Sequence, residues 1–208
     1  MIGYSGKRAL DIAVAVVLLG LLSPAMAIVA MVVALRMGRP VIFAQTRPGL
    51  NKQPFPVYKF RSMKEAYDAT GKSLPDSERL TGLGKFLRAS SLDELPGLFN
   101  VIKGDMSMVG PRPLLTRDLP YYSQRELLRF TVRPGLTGWA QINGRNDLRW
   151  PERLECDAWY AEHCSLVLDL AILWRTLFFV LRRSNVQVDT SAIEGPLSAE
   201  RATPDSGV

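Results

Sequence analysis

IAVAVVLLGLLSPAMAIVAMVVAL, residues 12–35, runs for 24 positions without a charge, and Ser23 is its only side-chain hydroxyl. A helix of that length rises about 36 Å, more than the ~30 Å hydrocarbon core of a bilayer. Three readings compete. A signal peptide has Ala25-Met26-Ala27 as a cleavage-like triplet, but the apolar run continues to Leu35, where a mature chain turns polar. A straight span meets Ser23-Pro24 at its midpoint, with 11 apolar residues on either side, and a mid-helix proline removes a hydrogen bond and crowds the preceding turn. Both flanks are basic, Lys7 and Arg8 before and Arg36 and Arg39 after, which favours keeping both ends on the cytoplasmic face. The proline and the flanks together favour a re-entrant helix-break-helix over residues 1–39, in which the Ser23 hydroxyl bonds a carbonyl freed by Pro24 that lipid cannot solvate.

Outward from this segment the chain turns polar and mixed. Residues 41–46 and 55–63 are short β-prone runs on either side of Pro48-Gly49-Leu50-Asn51 and predict a hairpin. Residues 65–84 read as a long loop, and 83–89 as a short helix. Leu92, Leu95, Phe99 and Ile102 recur every three or four residues and predict an amphipathic helix ending near Gly104. Residues 119–130 and 151–164 are further helix candidates, the second opening on Pro151. Residues 165–183 form an apolar stripe interrupted by Asp169, Arg175, Arg182 and Arg183. Those charges argue against a second span and leave two readings, an interfacial helix or a plain core helix. The fold class is therefore α+β: the re-entrant membrane segment, a compact, mostly helical cytoplasmic domain over 40–189 with a short β-hairpin and interfacial amphipathic helices, and a disordered tail over 190–208.

Charge narrows the partners. Lys plus Arg number 26 against 20 for Asp plus Glu, and from Ser184 onward the chain carries −3, so the rest carries +9. A basic body suits phosphate-bearing molecules or an anionic membrane face. The alternative to catalysis is a membrane-anchored basic module that binds nucleic acid or acidic lipid, but aromatic residues do not interleave the basic positions as base-stacking platforms would. Cys156 and Cys164 fit neither a zinc pair nor a redox CxxC. With His163 the only histidine, no Ser-His-Asp, Cys-His or HExxH machinery can assemble, and no P-loop or DxD is present. Catalysis here rests on carboxylates and cations.

Ser91-Leu92-Asp93-Glu94-Leu95-Pro96 supplies adjacent carboxylates at a helix start. Ser91 and Glu94 also match a capping box, in which the two acids merely favour the first turn. Basic residues recur around it: Lys59 and Arg61 in Tyr58-Lys59-Phe60-Arg61, Arg88, and, beside prolines or glycines, Arg112 in Gly110-Pro111-Arg112-Pro113, Arg133 in Arg133-Pro134-Gly135, and Arg145-Asn146 after Gly144. A backbone fixed on either side of an arginine holds its planar fork ready for a phosphate oxygen.

Taken in order, Lys7-Arg8 with Asp11, Ser23-Pro24, Phe43-Ala44-Gln45-Thr46-Arg47-Pro48-Gly49, Tyr58-Lys59-Phe60-Arg61-Ser62-Met63, Ser91 to Pro96, Asn100 to Ser107, Val109 to Pro113 and Arg133 to Gly138 resemble the bacterial sugar transferases, the monotopic phosphoglycosyl transferases. The size is similar to that of the minimal, PglC-like members. The resemblance covers residues 7–183. It implies transfer of a phosphosugar from a UDP-sugar to a polyprenol phosphate at the cytoplasmic face of the bacterial inner membrane, with UMP leaving, as a first membrane step of glycoconjugate synthesis. It implies an enzyme seated in one leaflet, with no nucleic-acid partner. It further implies Asp93 as the nucleophile of an acyl-phosphate intermediate and Glu94 as a ligand of Mg²⁺. A carboxylate suits that task, being ionised at neutral pH without a base. Lys59, Arg88 and Arg112 are the expected phosphate clamps, and Arg145 with Asn146 the expected contacts to nucleotide or sugar.

Overall fold

The computed structural model describes residues 3–68, 70–72, 74–144, 148–182 and 197–201. Its longest element, α1 (Lys7–Met37), is one α-helix of 31 residues, long and apolar enough to cross a membrane. The expected break at Pro24 does not interrupt it. Pro24 has no N–H for the Gly20 carbonyl four residues back, but the Ser23 hydroxyl donates to that same oxygen at 3.1 Å, so the ladder continues past the proline. Asp11, Ala15, Met26, Val29 and Val33 are buried and share one face, on both sides of Pro24. Val16, Val17, Leu21, Ile28, Met31 and Leu35 are bare.

Both ends of α1 are fastened to the rest of the molecule. Lys7 Nζ donates to the Val109 carbonyl at 3.0 Å, and the Arg8 guanidinium to the carbonyls of Val101 and Ile102 at 2.5 and 2.7 Å. At the far end Arg61 donates to the carbonyls of Met37 and Arg39. Between these ties α1 lies against the predicted hairpin, β1 (Ile42–Pro48) and β2 (Pro54–Phe60), antiparallel with Ile42 opposite Phe60 and Pro48 opposite Pro54.

The expected loop holds a single helical turn, α2 (Asp76–Arg79), and leads into α3 (Gly82–Ala89), where the sequence places a short helix. Gly84 of α3 passes so close to Ser62 that a Cβ would lie 1.8 Å from the Ser62 carbonyl oxygen, so only glycine fits. The amphipathic helix expected from Leu92 is divided: a 3-10 turn at Leu92–Glu94, then α4 (Gly97–Lys103), closed by Gly104 with φ 101°. Pro96 is responsible. It has no N–H to continue the ladder of the preceding turn, and it serves instead as the N-cap of the next helix.

A short parallel pair follows, β3 (Ser107–Val109) beside β4 (Gly135–Thr137). Between them the helix expected over 119–130 is replaced by two 3-10 segments, Thr116–Tyr121 and Glu126–Thr131, because Pro120 and the extended backbone at Tyr122 stop an α-helix. After the single turn α5 (Trp139–Ile142), α6 (Trp150–His163) matches expectation, with Pro151 in its first turn and Glu152 accepting from the Arg149 N–H at 3.2 Å. In α7 (Leu166–Arg182), Asp169 and Ile172 are fully buried, whereas Val167, Leu170, Trp174, Leu177 and Phe178 lie on a bare apolar face. The helix is thus half core, half open. Within the tail expected to be disordered, α8 (Leu197–Arg201) is ordered: Leu197 is buried beside Tyr122 and Phe130, and Arg201 grips both Glu126 oxygens at 2.6 and 2.7 Å. The remainder of that tail lies outside the described residues.

Candidate active site

The 3-10 turn carrying Asp93 and Glu94 is wedged between α3 and α4. Ser91 enters it in the left-handed region, with φ 57°, and its side chain caps nothing. Glu94 does not reach back to Ser91 either. One of its oxygens, Oε1, accepts from Lys59 Nζ of β2 at 2.7 Å and from Arg112 Nη2 at 2.6 Å. Its other oxygen has only a 3.5 Å contact with Arg112 Nη1. The capping-box alternative therefore does not hold, and the acids face cations.

The two carboxylates differ sharply. Asp93 is 7% exposed and accepts no hydrogen bond among the described residues. Burial and then the charge of Glu94 push its pKa up to about 6, against Lys59, Arg112 and Arg88, which pull it down. Burial would raise Glu94 too, but Arg112 and Lys59 outweigh it and hold that carboxyl well below the usual range. Glu94 in turn raises Arg112. One carboxylate is a fixed anion; the other is poised near neutrality.

Arg88, one helical turn before the dyad, is set by the contact of its Nε with Ser62 Oγ at 3.1 Å. That contact is possible because Gly84 lets α3 close on the 62 backbone. Arg112 comes from the loop after β3. The Gly135 N–H donates to the Pro111 carbonyl at 2.9 Å, and Arg129 Nη2 donates to the Arg112 carbonyl at 2.6 Å. Lys59, Arg88, Arg112, Asp93 and Glu94 are thus brought together as the sequence predicts. Arg145 and Asn146 lie outside the described residues. Ser23 and Pro24 belong to α1 and touch none of these groups. Arg133, one of the proline-flanked arginines, is used structurally, donating to the Gly104 carbonyl at 2.9 Å.

Three residues escaped the sequence reading. Arg47 lies within electrostatic reach of Arg112, and burial together with that like charge pushes it down to about 10. Its Pro48-Gly49 neighbours were the available signal. Arg129 and Asp157 form a buried ion pair at 2.9 Å behind the Arg112 loop, and no local pattern in the sequence marks either one.

A largely buried carboxylate beside several cations suits attack on an anionic phosphorus centre. The cations offset the repulsion between two anions, and the carboxylate needs no general base. A Mg²⁺ ion, which the resemblance implies, fits this donor set in one way: Glu94 is ionised and has one oxygen with only a long contact. Mg²⁺ usually takes one or two protein carboxylates and fills its remaining positions with phosphate and water, and among the described residues no group of three or more acidic, His or Cys side chains forms a fuller cage.

The family model described as bacterial sugar transferase matches residues 2–183. A Bacillus subtilis protein named uncharacterized sugar transferase EpsL is 48% identical over 181 residues, 87% of this chain and 90% of that protein. The undecaprenyl-phosphate galactose phosphotransferase of Salmonella typhimurium is 40% identical over 194 residues, covering 85% of this chain and 40% of that one. The UDP-glucose:undecaprenyl-phosphate glucose-1-phosphate transferase of Escherichia coli is 42% identical over 182 residues, covering 83% and 39%. The chain therefore spans about two-fifths of the length of these last two relatives.

Proposed function

Since this chain belongs to the bacterial sugar transferase family, we propose that it moves a phosphosugar from a UDP-sugar to a polyprenol phosphate, as the names of relatives acting on UDP-glucose and undecaprenyl phosphate suggest. The observation that carries this reading is the pairing of a buried Asp93, without a hydrogen bond among the described residues, with a Glu94 held ionised by Lys59 and Arg112.

In this mechanism an oxygen of Asp93 attacks the phosphorus that bears the sugar. The bond from that phosphorus to the bridging oxygen breaks, and UMP leaves with the electron pair. An oxygen of the polyprenol phosphate then attacks the same phosphorus and expels the Asp93 carboxylate, giving polyprenol diphosphate sugar. Arg112, Lys59 and Arg88 bind the diphosphate oxygens and offset the negative charge gathering at phosphorus. Arg145 and Asn146 belong to the nucleotide or sugar contacts in this proposal. Glu94 would be the protein ligand of Mg²⁺, which would supply further charge neutralisation at the diphosphate.

The membrane reading is proposed on the same footing: α1, unbroken but bent at Pro24, enters and leaves by a single leaflet, residues 40–189 form the cytoplasmic catalytic unit, and the bare face of α7 rests in the interface of the inner membrane. Two observations support it. Both ends of α1 are tied to one polar body through Lys7, Arg8 and Arg61, and large apolar side chains are bare on both helices, among them Val17, Leu21, Leu35, Val167 and Trp174. A straight span would pull that polar body through the hydrocarbon.

The test is chemical. Incubation with a UDP-sugar labelled in the sugar and no polyprenol phosphate is expected to release UMP once per enzyme and leave label on the peptide bearing Asp93. Polyprenol phosphate then discharges it, and EDTA blocks both steps. Release of UMP only when both substrates are present, with no labelled peptide, would replace the two-step route by direct transfer.

A further inference from the structure

Arg129 is 3% exposed and its partner Asp157 is 2% exposed. Removing two charges from water costs several kcal/mol per ion, and a well-packed apolar pair of the same volume is often as stable. The pair is not even fully satisfied: Arg129 Nε and Asp157 Oδ1 are buried without a hydrogen-bond partner. Stability alone is a poor account of it. The guanidinium does, however, something no apolar side chain can do. Its Nη2 holds Asp157 Oδ2 at 2.9 Å and the main-chain carbonyl of Arg112 at 2.6 Å, while Nη1 donates to the Tyr122 hydroxyl at 3.0 Å. The rings of Tyr122 and Phe130 flank it, each centroid 5.4 Å from its central carbon.

The Arg112 loop needs such a fixture. Pro111 and Pro113 restrict the backbone but donate no hydrogen bonds, and the loop's other carbonyl tie is Gly135 N–H to Pro111. We infer that Arg129, braced by Asp157, is a positioning residue for the transfer reaction: by gripping the Arg112 carbonyl it aims the Arg112 guanidinium at Glu94 and at the substrate diphosphate. This rests on the reading of Arg112 and Glu94 as site residues. Aim is the relevant quantity because a displacement of about 1 Å at a reacting centre can cost on the order of 100-fold in rate.

A double-mutant cycle separates aiming from packing. Arg129→Lys keeps the charge but cannot hold three acceptors in one plane, and is expected to lower kcat/KM for the UDP-sugar by roughly 10- to 100-fold. In an Arg112→Ala background the same change is expected to cost less than about threefold, because the group it aims is gone. Asp157→Asn, which preserves shape, should move in the same direction by a smaller factor. A second readout needs no turnover. The modification of Arg112 by phenylglyoxal, followed by peptide mapping, should be slow in the unaltered protein and faster in Arg129→Lys. Equal losses in both backgrounds, or an unchanged Arg112 modification rate in a folded Arg129→Lys protein, would overturn the assignment. Absence of UMP release from the unaltered protein counts against the proposed reaction instead, and the modification rate still decides the role of Arg129.

Discussion

Asp93 and Asp169 are both buried, 7% and 0% exposed, yet they stand in opposite company. Asp169 accepts from Lys7 Nζ at 2.5 Å, Tyr160 OH at 2.7 Å and Tyr4 OH at 2.9 Å. Nearby, Asp11 accepts from Ser107 Oγ at 2.9 Å and the Met108 N–H at 3.0 Å. These acids join the start of α1 to β3, α6 and α7; both oxygens of Asp169 are filled, and Asp11 is held through Oδ1. Asp93 has no hydrogen bond among the described residues and an anion as its sequence neighbour. A buried acid with filled oxygens fastens; one left empty is strained by its surroundings, and such strain is kept where chemistry uses it.

The largest effect expected from this contrast is at Asp93. Asp93→Asn should lower turnover by on the order of 10⁴ or more, since the nucleophile is lost, yet it should stabilise the fold. The sign follows from its raised pKa of about 6. The folded state binds the proton more tightly than the unfolded one, so stability falls as pH rises from the ordinary carboxylate range through about 6, and at pH 7.5 the cost is fully present. Asparagine removes it, a gain of about 1–3 kcal/mol measurable as a higher thermal midpoint. A folded Asp93→Asn protein that turns over normally breaks the comparison from one side.

Asp169→Asn should do the reverse. Losing the charge opposite Lys7 is expected to cost about 3 kcal/mol of stability, read by denaturant unfolding in detergent, while the specific activity of the folded fraction stays within a few-fold. A loss of activity far beyond the loss of folded protein would show that the fastening cluster also reaches the chemistry.

The smallest effect is the sharpest. The log of kcat/KM for the UDP-sugar should rise with unit slope up to about pH 6 and then level, reporting ionisation of Asp93. In Glu94→Gln the residual activity should show that limb at lower pH, because the Glu94 charge is one of the causes raising Asp93. A limb that moves upward would mean that Glu94 acts on Asp93 through the cations it holds rather than through its own charge.

Local patterns made some of this legible from sequence. The hairpin, α3 and α6 follow from turn residues and periodicity, Arg112 stands out by its flanking prolines, and Lys59 and Arg88 as its companions follow from the family resemblance. The Ser23 bond to the Gly20 carbonyl follows from what proline lacks. Other features depend on distant segments. Pro96 marks where the Leu92 helix divides, but whether Glu94 faces Ser91 or the cations of β2 and the Arg112 loop is settled by tertiary packing. Arg129 and Asp157 lie 28 residues apart on elements the sequence does not pair. The ordered turn at Leu197–Arg201 needs Glu126 and the Tyr122–Phe130 cluster to receive it.

The shared packing of α1 has a consequence for how the protein is made. Ala15 is fully buried with Leu98, Val101 and Met106, and Val33 is fully buried with Phe60 and Leu87, so the helix contributes to two interior clusters rather than hanging from a finished body. Synthesis delivers α1 before the hairpin and α4 that cover its inner face. Cutting the chain at residue 40 would not liberate a water-soluble catalyst. It would strip the lining from both clusters and leave Phe60, Leu87, Val101 and Met106 as sticky surface, with aggregation rather than release as the outcome.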